Sequence, residues 1–251
     1  MNELNVAIKA AKESGKVLMS YHNRNIKINK KADDSPVTIA DKESEKRIVS
    51  TIKKNFPNHN ILAEEDYYKK TDSEYKWIID PLDGTRNFIR GMPFFGNCIA
   101  LEKDGKVIVG VINMPALNLF AYASLGNGAF VNGNKVNVSN VSKLKDAFLS
   151  FGSPWNFINF HKNQLTNLIN SCYSHRGYGD TLHYILLAQG CVDIAVECDV
   201  EPWDIAASKI IVEEACGKVT DFNGNNTIYS GKCIATNGKL HDKVVKIFNK
   251  K

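Results

Sequence analysis

Leu4, Ile8, Ala11, Gly15 and Leu18 recur at three- and four-residue intervals, with lysines and a glutamate between them. That spacing predicts an amphipathic first helix packed on a core. A polar segment, KKADDSPVTIAD, follows, and Ile48, Ile52 and Phe56 then predict a second helix beginning near Asp41. Two apolar runs, NILAEED and EYKWIID, read as strands that end in acids. Pro81 has no N–H to give a ladder, so pairing of the second strand is expected to stop there, with Asp83 and Gly84 making a turn. β-rich runs on either side of Asp104-Gly105 predict a hairpin. LFAYAS and GAFVNGNKVNV extend the same sheet.

The second half changes rhythm. AFLSFG reads as a strand, residues near 157–171 as helical, and TLHYILLAQG as a helix closed by a glycine. VDIAVE is a strand. PWDIAASKIIVEEACG is a helix with Pro202 in its first turn and Gly217 just past its end. CIATN is a last strand, and the lysine-rich end a last helix. This alternation predicts layered α/β architecture in one unit over residues 1–251. A seam near residue 140 divides it into lobes of about 1–140 and 141–251.

At 251 residues the chain can bury a sizeable core, and its net charge of +5 is mild. With no long basic stripe, a small anionic substrate is the better expectation and a nucleic-acid partner is not. Lys27 to Lys31 read as a solvated loop or strand face. The six cysteines, at 98, 172, 191, 198, 216 and 233, form no C-x-x-C pair and read as reduced core thiols. The N-terminus has helical periodicity in place of a signal-peptide block, and no apolar run approaches membrane-spanning length. A cytoplasmic enzyme or binding protein, with no membrane partner, is the expectation.

WIIDPLDGTRNF, Trp77 to Phe88, carries the chemistry. Two carboxylates, Asp80 and Asp83, follow a buried strand, and burying them is costly without a cation or donors. Further acids stand at Glu64-Glu65-Asp66, after a strand, and at Asp204, in the first turn of a helix. Taken singly, D-x-x-D also fits a turn, E-E-D a solvated loop, and Asp204 a favourable helix charge. Taken together they fit a shared site for hard cations such as magnesium, manganese or calcium. Asp83 to Thr85 can open a helical turn whose free N–H groups form an anion cradle.

In their order and spacing, AEED, WIIDPLDGTRNF and EPWDIAA resemble the three signature regions of the inositol monophosphatase superfamily of metal-dependent phosphatases, and the resemblance covers essentially the whole chain. It implies an α/β fold, an αβαβα layered sandwich. It also implies that Glu64, Asp80, Asp83, Asp204 and the Leu82 carbonyl hold two magnesium ions, manganese being an alternative. Glu65 would serve a weaker third metal through water. Gly84 and Thr85 N–H groups would contact phosphate. An activated water would be positioned by Thr85 and Asp41, the latter in SPVTIAD, with Glu64 nearby. Lithium inhibition and a homodimer are further implications. No covalent intermediate and no histidine base are implied, and His175 and His183 are read as structural.

Within the superfamily, RGYGD, the helix after it, and VDIAVE resemble the histidinol-phosphate phosphatases more than the inositol enzymes. FIRGMPFF and INMPAL lean the same way. An ammonium-bearing substrate suits acids at the rim, of which Asp180 and Glu197 are the candidates. Asp199 and Glu201 read as solvent-facing or capping. Arg176 either reaches substrate or fixes the acidic loop. Glu197, seven residues before Asp204, fits the inositol reading equally. Thr181 and Leu182 depart from the aromatic residues of many histidinol-phosphate enzymes. Inositol monophosphate is thus the second substrate, with fructose bisphosphate and 3′-phosphoadenosine 5′-phosphate below it. A phosphate-binding module without turnover is the different-class alternative.

Overall fold

The computed structural model describes residues 2–31, 34–65 and 67–249. α1 (Glu3–Tyr21) is capped by Asn2, whose side chain accepts the Asn5 N–H at 2.9 Å. β1 (Ile28–Lys30) and β2 (Pro36–Thr38) form a small antiparallel pair, and α2 (Ile39–Asn55) follows. Next come β3 (Asn60–Ala63), β4 (Tyr68–Lys69), β5 (Tyr75–Asp83), the short α3 (Thr85–Ile89), β6 (Gly96–Lys103), β7 (Lys106–Met114), β8 (Leu119–Ser124), β9 (Ala129–Val131) and β10 (Asn134–Val136). Their strands form one sheet in the order β10-β9-β8-β7-β6-β5-β3-β4, antiparallel except where β3 meets β5.

The second half supplies β11 (Phe148–Phe151), α4 (Pro154–Phe160), α5 (Lys162–Ser171), β12 (Ser174–Arg176), α6 (Asp180–Ala188), β13 (Ile194–Cys198), α7 (Pro202–Glu214), β14 (Lys218–Thr220), β15 (Lys232–Thr236) and α8 (His241–Phe248). Its strands form a sheet in the order β12-β11-β13-β15-β14.

Strand alternation assigns the layers. Trp77, Ile79, Ile99, Leu101, Val109 and Val111 face α1 and α2. Their neighbours Ile78, Cys98, Ala100 and Ile112 face the other way, against Ile205, Ile210 and Leu187 of α6 and α7. Ala195, Cys233 and Ala235 of the second sheet close on the same two helices. The outer face of that sheet packs Ile194, Val196 and Ile234 against Phe157, Leu168, Val244 and Phe248 of α4, α5 and α8. The result is the expected αβαβα sandwich. The middle helices bury apolar side chains from both halves of the chain. Among the described residues, no helix is long and apolar enough to cross a membrane.

Two local expectations need correction. Pairing does not stop at Pro81: the β5–β6 ladder shifts register between Asp80 and Asp83 and resumes at Asp83–Gly96, so the proline sits in a bulge. The six thiols are free, but only Cys98, Cys198 and Cys233 are buried. Cys172 is half-buried, and Cys191 and Cys216 are exposed in the turns after α6 and α7. Gly217 stands just past the end of α7, as expected, and Cys216 before it takes the left-handed conformation, with φ of 69°. Gly217 is needed for space, since a Cβ there would lie 2.7 Å from the Thr236 carbonyl oxygen.

Candidate active site

The bulge in β5 lets Asp80 and Asp83 approach one another across Pro81 and Leu82. Asp80 Oδ1 accepts the Leu82 N–H at 2.9 Å. Gly84 then turns the chain into α3 with φ of 78°, and a Cβ there would lie 2.6 Å from the Phe94 carbonyl oxygen. Only glycine suits both the conformation and the space. Thr85, the first residue of α3, has its Oγ1 2.9 Å from the Leu82 carbonyl oxygen and 3.1 Å from Asp41 Oδ1, two acceptors for its one hydroxyl proton.

One face of α2 organises the surrounding segments. Asp41 is fully buried, and its Oδ2 accepts from the Thr38 N–H at 2.7 Å and Thr38 Oγ1 at 2.6 Å. Three residues on, Ser44 Oγ donates to the Pro81 carbonyl at 2.7 Å and contacts Ser14 Oγ at 2.6 Å. Glu45 Oε2 accepts the Glu65 N–H at 2.9 Å. Positions 41, 44 and 45 share a helical face, so a single helix holds the Thr85 turn, the β5 bulge and the Glu64-Glu65 turn.

The acids lack sufficient counter-charge. Burial, then the charges of Glu64, Asp83 and Asp204, pushes Asp80 well above the usual carboxylate range. Asp83 is raised by burial although Thr181 donates to its Oδ2 from N at 2.7 Å and from Oγ1 at 2.6 Å. Asp204 is pushed well up by burial, against a 2.7 Å hydrogen bond from the Glu201 N–H to Oδ2. Burial takes Glu65 to about 7. Lys31 answers part of this charge: its Nζ lies 2.8 Å from Glu64 Oε1 and 2.7 Å from Glu65 Oε1. Burial opposes the Lys31 charge, but hydrogen bonds to both glutamates outweigh it and raise the ammonium above its usual range. The solvated face expected for Lys27 to Lys31 holds for Lys27 to Lys30, and Lys31 departs from it. Asp66 lies outside the described residues.

Among the described residues, no three acid, histidine or cysteine side chains already stand in an arrangement that could hold an ion. The chemistry of the set nevertheless fits hard divalent cations. Its donors are carboxylate oxygens plus the Leu82 carbonyl, and the acids (Asp80 and Asp83 buried, Asp204 half-buried) need positive charge. Glu64 would exchange Lys31 for such an ion.

A cleft of about 460 Å³ opens over this cluster, with Glu64, Gly84, Thr85, Gly152, Tyr178 and Asp180 on its walls. Larger hollows beside Lys42, Lys46 and Tyr67, and between α1 and β8, contain none of the candidate metal-binding acids. Asp180 opens α6 with φ of 48°, and its Oδ2 accepts Asn87 Nδ2 at 2.8 Å. Burial, then the Asp83 charge, raises its carboxyl to about 8. Its own N–H donates to Glu197 Oε1 at 3.1 Å, which places Glu197 beneath the same end of the cleft. Arg176 does not join them: it is exposed on β12 and donates to the His175 carbonyl at 2.7 Å. Glu201 is exposed at the start of α7, and Asp199 is exposed just before it.

Residues 2–251 match the inositol monophosphatase family. The chain belongs to that family. Its members are metal-dependent phosphatases acting on phosphoric monoesters. A fructose-1,6-bisphosphatase/inositol-1-monophosphatase of Thermotoga maritima is 39% identical over 99% of this chain and 96% of its own length. A histidinol-phosphatase of Mycobacterium tuberculosis is 40% identical over 89% of this chain and 88% of its own. The crystal structure of the extragenic suppressor protein suhB from Bartonella henselae superposes with a TM-score of 0.92. It is 33% identical and covers 98% of each chain. Three different names at similar identity establish the family and leave the ester open.

Against this family site, sequence reasoning missed Lys31, Ser44, Glu45, Asn87 and the aromatic wall at Tyr178. Ser44 and Glu45 had a signal: with Asp41 they break the apolar stripe of α2 at helical spacing. Thr181 was read for a missing aromatic ring, whereas it is buried and holds Asp83.

Proposed function

We propose that this protein hydrolyses a small phosphate monoester whose alcohol carries a cationic or strongly polar group, with histidinol phosphate the best-fitting substrate. The observation that carries this reading is the pair of acids at one end of the cleft. Asp180 Oδ2 stands 3.4 Å from the Cβ position of Gly84, beside the proposed phosphate cradle, and Glu197 is bonded to the Asp180 N–H. Carboxyl groups raised by burial beside a phosphate site are ionised by a bound ammonium and pushed further toward the neutral form by a second phosphate, so the ammonium is the favoured occupant. Tyr178, on the wall, offers the ring face that Thr181 and Leu182 do not.

Glu64, Asp80, Asp83, Asp204 and the Leu82 carbonyl would hold two magnesium ions, with Glu65 available to a third. Bound there, such ions offset phosphate charge and make water a stronger acid. Gly84 and Thr85 bind and orient phosphate through their N–H groups. Thr85 Oγ1 aligns the attacking water and takes its proton as its own passes to Asp41 Oδ1, 3.1 Å away. Thr38 keeps Asp41 turned toward Thr85 by binding its other oxygen.

Phosphate release from histidinol phosphate, inositol-1-phosphate, fructose-1,6-bisphosphate and 3′-phosphoadenosine 5′-phosphate, with and without magnesium, tests this reading. The expected result is magnesium-dependent release, fastest from histidinol phosphate. Preference for a bisphosphate would overturn the substrate. Ligand-induced stabilisation without release from any ester would make the protein a binding module.

A further inference from the structure

His183 lies in α6, one turn after Asp180, fully buried and without a part in the chemistry above. Burial lowers its imidazole to about 3, so the ring is neutral. Its Nδ1 lies 3.2 Å from Ser150 Oγ on β11. With the serine hydroxyl donating there, the ring proton belongs on Nε2. Nε2 is buried, has no hydrogen-bond partner among the described residues, and faces Glu197 Oε1 at 3.6 Å. Tyr184, the next residue, donates from its hydroxyl to Glu197 Oε2 at 3.3 Å. Above the carboxylate sits Gly152 in the cleft wall, where a Cβ would fall 2.6 Å from Oε1. Glu197 therefore packs directly against Gly152 of the cleft wall, and its side-chain hydrogen-bond donors, the Asp180 N–H and the Tyr184 hydroxyl, come from α6.

We infer that Ser150 and His183 form a positioning pair that aims the Glu197 carboxylate at the polar end of the substrate alcohol. The orphaned Nε2–H is the restraint: a short movement of Glu197 away from the cleft closes the 3.6 Å gap, and a bound ammonium or hydroxyl draws the carboxylate back. Ser150 sets which ring nitrogen carries the proton. The pair acts on the alcohol and not on the phosphoryl group, so it tunes choice of ester. This inference rests on the phosphatase reading above and concerns a separate part of the site.

The test compares His183→Leu, His183→Gln and Ser150→Ala on histidinol phosphate and on p-nitrophenyl phosphate, an ester whose alcohol offers Glu197 no ammonium. His183→Leu should lower kcat/KM for histidinol phosphate about tenfold more than for the aryl ester, chiefly through KM. Glutamine, whose amide nitrogen reaches the Nε2 position, should restore most of that loss, and Ser150→Ala should show a smaller loss in the same direction. Equal losses on both esters, or no rescue by glutamine in a protein that melts like wild type, would overturn the pair. A crystal structure of His183→Leu reads the same point without turnover: the Glu197 carboxylate should leave its place under Gly152. An unmoved carboxylate sinks the inference even if neither ester is hydrolysed, whereas a failure of wild type on every ester sinks only the phosphatase reading.

Discussion

Asp83→Asn separates the two roles of the acid cluster. The amide is nearly the shape of the carboxylate, and its oxygen can accept both bonds that Thr181 now gives to Oδ2. The fold should survive. The substitution also removes a buried charge that raises Asp80, Asp180, Glu197 and Asp204. A carboxyl raised in the folded state costs stability once it ionises, so the cost is absent below the unfolded value near 3.9 and grows as pH rises. Relief worth one pK unit is about 1.4 kcal/mol, or about 3–6 °C of Tm for a chain of this size. The metal-free variant should therefore melt above metal-free wild type at pH 8, with the difference shrinking toward pH 4. Magnesium cancels that advantage. At a hundredfold excess over Kd it adds about 2.7 kcal/mol to wild type, and with a tenfold weaker site about 1.4 kcal/mol at the same concentration. Turnover should fall at least about 100-fold. The assay is thermal unfolding in chelator and along a magnesium titration, beside phosphate release. A metal-free variant that melts below wild type, or a magnesium shift equal to that of wild type, would refute the account of Asp83.

Thr85→Ala should lower kcat about 100-fold with a smaller change in KM, because aligning water acts in the transition state; steady-state kinetics showing an effect on KM alone would remove Thr85 from that role. Asp180→Asn should weaken histidinol phosphate more than inositol-1-phosphate, and equal losses would undercut the ammonium reading. In the metal-free protein the Asp180 carboxyl, raised to about 8, contributes stability that is full below about 3.9 and is lost as pH rises through 8. Urea unfolding should thus show Asp180→Asn gaining on wild type between pH 6 and pH 9, and a constant difference would contradict the burial argument. Gly110→Ala places a Cβ 2.6 Å from the Ala207 carbonyl oxygen and 2.4 Å from Ile210 Cγ2, which forces α7 off β7. A loss of about 1–3 kcal/mol is expected, with weaker magnesium binding as Asp204 moves, and calorimetry that finds both unchanged would show that the helix has room.

What the sequence displays depends on how far apart the cooperating groups lie. α1, α2, α7 and the β6–β7 hairpin were legible because periodicity, a proline in the first turn and an Asp-Gly turn act within a few residues. The acids were legible as types, and their meeting came from resemblance, since spacing alone allows a turn at Asp80 and a helix charge at Asp204. Lys31 was illegible. It follows a strand whose residues are exposed, and its partner Glu64 stands 33 positions away. The bulge at Pro81 was misread because a proline normally ends pairing. Here Ser44, reaching in from α2, takes the Pro81 carbonyl, so the irregular stretch is satisfied from outside the sheet. That bond has a consequence for the site. A bulge left to its strand neighbours would leave the Leu82 carbonyl and the Asp83 carboxylate free to drift, yet both carry proposed ligand atoms. Fastening the bulge to the helix that also bears Asp41 and Glu45 makes the spacing of proton acceptor, bulge and Glu65 turn a property of α2. Any change that shifts α2 along its axis should therefore disturb water alignment and cation binding together.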